Sequence, residues 1–149
     1  MRKVYAQTFV SNLTFSFLVG LCFSNGATGD VIDNTVSHHR CGLSVSGDAD
    51  PKVSNNRFIG CKSHGGLIGP GGLGDYTGNT FESNEGSGCT LMSESSTIGF
   101  TKNTFCRNLS SGLEVHAAAT LTIANNSVYG NHLSGIRLIG CSATVSNNE

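Results

Sequence analysis

The chain has 149 residues, of which 38% are hydrophobic, 7% aromatic and 13% charged, with a formal net charge of -1. That length accommodates one domain of ordinary size, and the charge balance excludes a basic nucleic-acid binder and an acidic tail protein. Twenty Gly beside many Asn and Ser argue against a helical bundle, and two Pro with ample Val, Ile, Leu and Phe argue against disorder, which leaves a turn-rich β protein.

The N-terminal segment supports two readings. Met1-Arg2-Lys3 followed by an apolar stretch from Leu13 to Phe23 has the basic start and hydrophobic core of a signal peptide, with cleavage expected near residues 24–27. The stretch is too short for a membrane-spanning helix. The rival reading makes residues 1–30 a first repeat. It is preferred, because Val4, Gln7 and Gly20 fall on columns that recur through residues 31–149. A retained first repeat fits an intracellular protein, and a cleaved one a secreted protein.

From Val31 onward the columns are plain. Asn34, Asn56, Asn79, Asn103, Asn126 and Asn148 are spaced by 22 to 24 residues. Three positions before each stands Val31, Val53, Tyr76, Phe100, Ile123 or Val145. Two positions after the first five come Val36, Phe58, Phe81, Phe105 and Val128, and five after come His39, Cys61, Asn84, Asn108 and Asn131. Eight or nine after comes Gly42, Gly65, Gly88, Gly112 or Gly135, followed by alternating apolar residues such as Leu113-Glu114-Val115 and Ile136-Arg137-Leu138. A period of two inside the unit excludes a helical repeat. The unit is too short for a WD40 blade and lacks the dense leucines of a leucine-rich repeat. The pattern predicts a right-handed parallel β-helix of about five to six coils, like residues stacking at about 4.8 Å. Aromatics should stack inside, Asn side chains should bond along the turns, and Gly should permit unusual dihedrals. The last repeat starts at Asn148-Glu149, and no amphipathic cap is visible, so the chain reads as part of a longer β-helix.

Candidate chemistry is sparse. A β-helix that acts on acidic polysaccharides needs carboxylates gathered around a base or a Ca²⁺ ion. Asp48, Asp50 and Asp75, with Lys52 and Arg57 near, are the group that comes closest; Asp48-Ala-Asp-Pro also reads as turn chemistry, and that reading is preferred. Gly69-Pro-Gly-Gly-Leu-Gly74 lacks the Lys-Ser/Thr of a P-loop and reads as a turn. No metal or other cofactor is expected: there is no C-x-x-C, and His38-His39 has only Cys41 nearby. His116 and His132 are placed in turns. The six Cys fall on six different columns, so they are expected as free, mostly buried thiols, which fits a reducing compartment. The sequons at Asn12, Asn108 and Asn125 read as coincidences, since Asn12 and Asn108 belong to an interior column.

Asp50-Pro51-Lys52-Val53-x-x-Asn56-x-Phe58, Asn79-Thr80-Phe81-x-x-Asn84 and Asn103-Thr104-Phe105-x-x-Asn108-x-x-x-Gly112 resemble right-handed parallel β-helix repeats of the pectin-lyase-like superfamily. The pattern is similar to the β-helix of F-box substrate receptors in ubiquitin ligases, although F-box helices are absent from these residues. The F-x-x-N and Gly spacing also resembles that of bacterial polymorphic outer-membrane adhesins. Signature motifs of polygalacturonases and alginate epimerases are absent. The resemblance implies a non-catalytic module that binds a protein partner along a lateral face. The alternative it carries is a secreted lyase or hydrolase, or an adhesin, with a polysaccharide as ligand.

Overall fold

The computed structural model describes residues 3–4, 18–94, 98–116 and 121–149. Among them there is no helix, and none long and apolar enough to cross a membrane. Each coil contributes three short strands, as in Asp75–Thr77, Thr80–Glu82 and Cys89–Leu91, one to each of three parallel sheets. Sheet I stacks Lys3–Val4, Thr28–Ile32, Asp50–Ser54, Asp75–Thr77, Ile98–Thr101, Leu121–Ala124 and Ala143–Ser146. Sheet II stacks Thr35–Ser37, Arg57–Ile59, Thr80–Glu82, Thr104–Cys106 and Ser127–Tyr129. Sheet III stacks Val19–Phe23, Cys41–Val45, Gly66–Ile68, Cys89–Leu91, Leu113–His116 and Ile136–Ile139. Lys3 and Val4 pair with Asp30 and Val31; the rest of the first-coil reading, and the body of the alternative leader, lie on residues 5–17, outside the described residues.

The strands keep the register of the sequence columns. Phe58 aligns with Phe81 and Phe81 with Phe105, all fully buried, and the neighbouring rings stack with centroids 5.1 Å apart. A second stack on sheet I joins Tyr76 to Phe100 at 5.0 Å. These rings and the inward aliphatics of all three sheets form one core that runs along the solenoid axis.

Two left-handed corners turn each coil. One precedes each ladder Asn and includes Asp33, Asn55, Lys102 and Asn125 at φ between 55 and 60°. The other follows the sheet II strand and includes Ser83 and Arg107. The Asn beyond the first corner points inward. The backbone N–H of Asn79 donates to Asn103 Oδ1 at 2.9 Å, and the Asn103 N–H donates to Asn126 Oδ1 at 2.8 Å. From Asn56 onward each amide also reaches down to the coil below, as Asn103 Nδ2 does to the Tyr76 carbonyl at 2.9 Å. Asn84, Asn108 and Asn131 build a second ladder at the other corner, where Cys61 donates its N–H to Asn84. His39 stands at the equivalent place one coil earlier, and its carbonyl accepts from Lys62.

The Gly column has a different cause from the one expected. Gly42, Gly65, Gly88 and Gly112 do not adopt positive φ. A Cβ on any of them would lie 2.5 to 2.6 Å from the carbonyl oxygen of the Gly above it. Close approach of successive backbones, not dihedral freedom, therefore excludes a side chain. Gly88→Ala would also press on Asn108 Nδ2 at 2.8 Å, and neither that ladder amide nor a backbone carbonyl can swing away. We expect a loss of about 2–3 kcal/mol, read as a lower urea midpoint with unchanged slope.

All six thiols are free. Cys41, Cys61, Cys89 and Cys106 are buried, Cys141 is half-buried and Cys22 is exposed. Burial pushes the Cys41 thiol up to about 11 and the Cys61 thiol up to about 12, which keeps both protonated and unreactive at neutral pH.

Candidate functional site

Asn, Gly and aromatic columns are occupied by structural necessity, so chemistry that distinguishes this chain has to stand on the outward columns. On sheet I the outward column reads Asp30, Lys52 and Asp75 in successive coils. Asp75 thus aligns with Lys52, not with Asp48 or Asp50. Asp48 occupies an exposed left-handed turn and Asp50 opens the strand Asp50–Ser54. Arg57 lies on sheet II, where it and Arg107 flank the Glu82 carboxylate and hold it below the usual carboxylate range. Of the three Asp, Asp75 stands against Lys52 in the sheet I register, while Asp48 lies in the turn before that strand and Asp50 at its start. The Gly69–Gly74 segment forms the turn between sheets III and I, as its composition suggests.

Sheet III carries a denser group. Its outward column reads Ser44, Leu67, Thr90, Glu114 and Arg137, and the next runs through His116 and Ile139. Arg137 Nη1 donates to Glu114 Oε1 at 3.3 Å, and His116 Nε2 lies 2.9 Å from the same oxygen. Ser87, at the corner one coil below, donates its hydroxyl to Glu114 Oε2 at 3.1 Å. Both carboxylate oxygens are thus occupied while the side chain is 14% exposed. One coil lower, His64 Nδ1 and Thr90 Oγ1 are 3.3 Å apart, the same diagonal contact across the corner. Burial lowers the His64 pKa, and the Glu114 carboxylate opposes that shift. Met92, Leu109, Leu133 and Ile139 are exposed on this sheet and its corner. Among the described residues no group of three His, Cys, Asp or Glu could hold a metal.

His116 ends the strand Leu113–His116 and belongs to this group; the sequence reading had it in a turn. Glu114 and Arg137 both stand two positions after the repeat Gly, so the columns themselves carried the signal that stacks them. Their corner partners Ser87 and His64 lie 27 and 26 residues from Glu114 and Thr90, which is not the repeat spacing.

The family described as "Right handed beta helix region" matches residues 4–149, and the chain belongs to that right-handed β-helix family. No curated protein matches the chain. Among solved structures it is similar to the crystal structure of the periplasmic alginate epimerase AlgG, with a TM-score of 0.69 and 16% identity. That likeness covers 85% of this chain and 36% of the other, so the chain spans little more than a third of that protein. It shows the fold, a parallel β-helix.

Proposed function

We propose that this chain is a non-catalytic β-helix module that binds a protein partner along the outer face of sheet III. The observation that carries the reading is the company Glu114 keeps. Its carboxylate is bonded by Ser87, His116 and Arg137, so its hydrogen-bonding capacity is largely taken up by fixed neighbours. Around that satisfied centre stand Met92 at 49% exposure, Ile139 and the half-exposed Arg137. Met and Arg are enriched in the cores of protein interfaces, and a stack of coils offers a long surface for one.

The experiment compares the full chain with a Met92→Asp, Arg137→Glu variant in a pull-down with chemical crosslinking. A partner enriched by the parent chain and lost about tenfold by the variant, at equal thermal stability, supports the reading. A second reading rests on Glu114 and His116 at 2.9 Å on the face of a β-helix whose fold is that of an alginate epimerase. Cleavage or epimerisation of a uronate polymer that Glu114→Gln abolishes would establish that reading and sink the first.

A further inference from the structure

Two of the sequons lie within the described residues, and the structure separates them. Asn125-Asn126-Ser127 presents Asn125 at an exposed left-handed corner, its backbone N–H donating to the Ser146 carbonyl. Asn108-Leu109-Ser110 presents the opposite case. Asn108 is 1% exposed and forms the middle of the second Asn ladder. Its Nδ2 donates to the Phe81 carbonyl at 3.1 Å and to Asn131 Oδ1 at 2.9 Å, while its Oδ1 accepts the Asn84 N–H at 3.0 Å and Nδ2 at 2.9 Å.

We propose that N-glycosylation of Asn108 and the folded solenoid exclude one another, whereas Asn125 accepts a glycan without loss of fold. In the modification, Asn108 Nδ2 bonds to the anomeric carbon of a polyprenyl-diphosphate-linked oligosaccharide. The carbon–oxygen bond to the diphosphate breaks, the diphosphate leaves with the electron pair, and the amide nitrogen gives up one proton. The modified amide keeps one hydrogen for two acceptors, so either the Phe81 carbonyl loses its bond from Asn108 or Asn131 Oδ1 keeps only the Asn108 backbone N–H. The sugar would also have to occupy the interior between Asn84 and Asn131, at a site closed to solvent. Glycan transfer acts on unfolded chain, so the sequon is a folding trap. The chain reaches this structure where Asn108 stays unmodified.

The sequon can be removed without touching its Asn. Ser110 contributes backbone bonds, its N–H to the Gly86 carbonyl and its carbonyl to the Leu133 N–H, and Ser110→Ala keeps both. The test places the full chain behind a cleavable secretory leader in eukaryotic cells, with Thr14→Ala in every variant to silence the Asn12 sequon. Glycan occupancy is read by mass spectrometry, and folding by protease resistance and secreted yield. Molecules glycosylated at Asn108 should be protease-sensitive and retained, with secretion about tenfold below that of Ser110→Ala, which should emerge with one glycan on Asn125. Made in a bacterial cytosol, the same two variants should melt at the same temperature. A protease-resistant chain carrying a glycan on Asn108 overturns the proposal. So does a Ser110→Ala variant that folds in the cytosol and fails in the lumen.

Discussion

Asn103→Leu should destabilise the protein by about 5 kcal/mol, the largest loss expected from any single side chain here. Leucine nearly preserves the volume, so cavity formation contributes little. What disappears is a set of four hydrogen bonds in a site that is 1% exposed. Asn103 Oδ1 accepts both the backbone N–H and the Nδ2 of Asn79, at 2.9 and 3.1 Å, and Asn103 Nδ2 donates to the Tyr76 carbonyl and to Asn126 Oδ1. The variant leaves two donors of Asn79 and one lone pair of Tyr76 facing hydrocarbon. Each orphaned buried group costs about 1–3 kcal/mol. Asn103→Asp should fare no better, because it sets a carboxylate against two acceptors. Such a loss is comparable to the whole stability of many domains. The check is the urea midpoint together with hydrogen exchange at the Asn79 amide, which should lose its protection. A change under about 1 kcal/mol would mean that water or backbone adjustment repairs the ladder, and that the Asn column has another cause.

The coil architecture was legible because a solenoid places like residues above like residues. Asn, Phe and Gly therefore recur at the coil length, and their register could be read without knowing the path of the chain. Physical causes were less visible than positions. The Gly column looked like a demand for unusual dihedrals, yet the 2.5 Å gap above Gly42, Gly65 and Gly88 is a property of stacked carbonyls that no single coil displays. The outward chemistry was harder still. Glu114 meets Arg137 at the repeat spacing, but it meets Ser87 diagonally across a corner at 27 residues. Asp48, Asp50 and Asp75 are close in the sequence reading, and the strand register sets Asp75 against Lys52. Charge on the exterior follows corner geometry and turn length, and these escape a column count.

Phe81→Ala should cost about 4–5 kcal/mol, the upper part of the range for a buried Phe. Phe81 is the middle ring of three, fully buried, with Phe58 and Phe105 each 5.1 Å away and inclined by 17° and 7°. Its ring atoms lie 3.1 and 3.2 Å from where Cβ atoms would stand on Gly65 and Gly66, so the ring fills the space those glycines leave empty. That environment resists collapse. The strands above and below are pinned by parallel pairing, and the glycines have no side chain to swing into the void, so most of the cavity should persist. Phe81→Leu should cost clearly less, about 1–1.5 kcal/mol, because it refills much of the volume. Phe81→Ala combined with Phe105→Ala should cost less than the sum of the two, since the second truncation removes a ring that has already lost one stacking partner. Equilibrium unfolding of the four proteins settles the matter: strictly additive losses, or a Phe81→Ala loss near 0.5 kcal/mol, would show that the rings do not share one packed column.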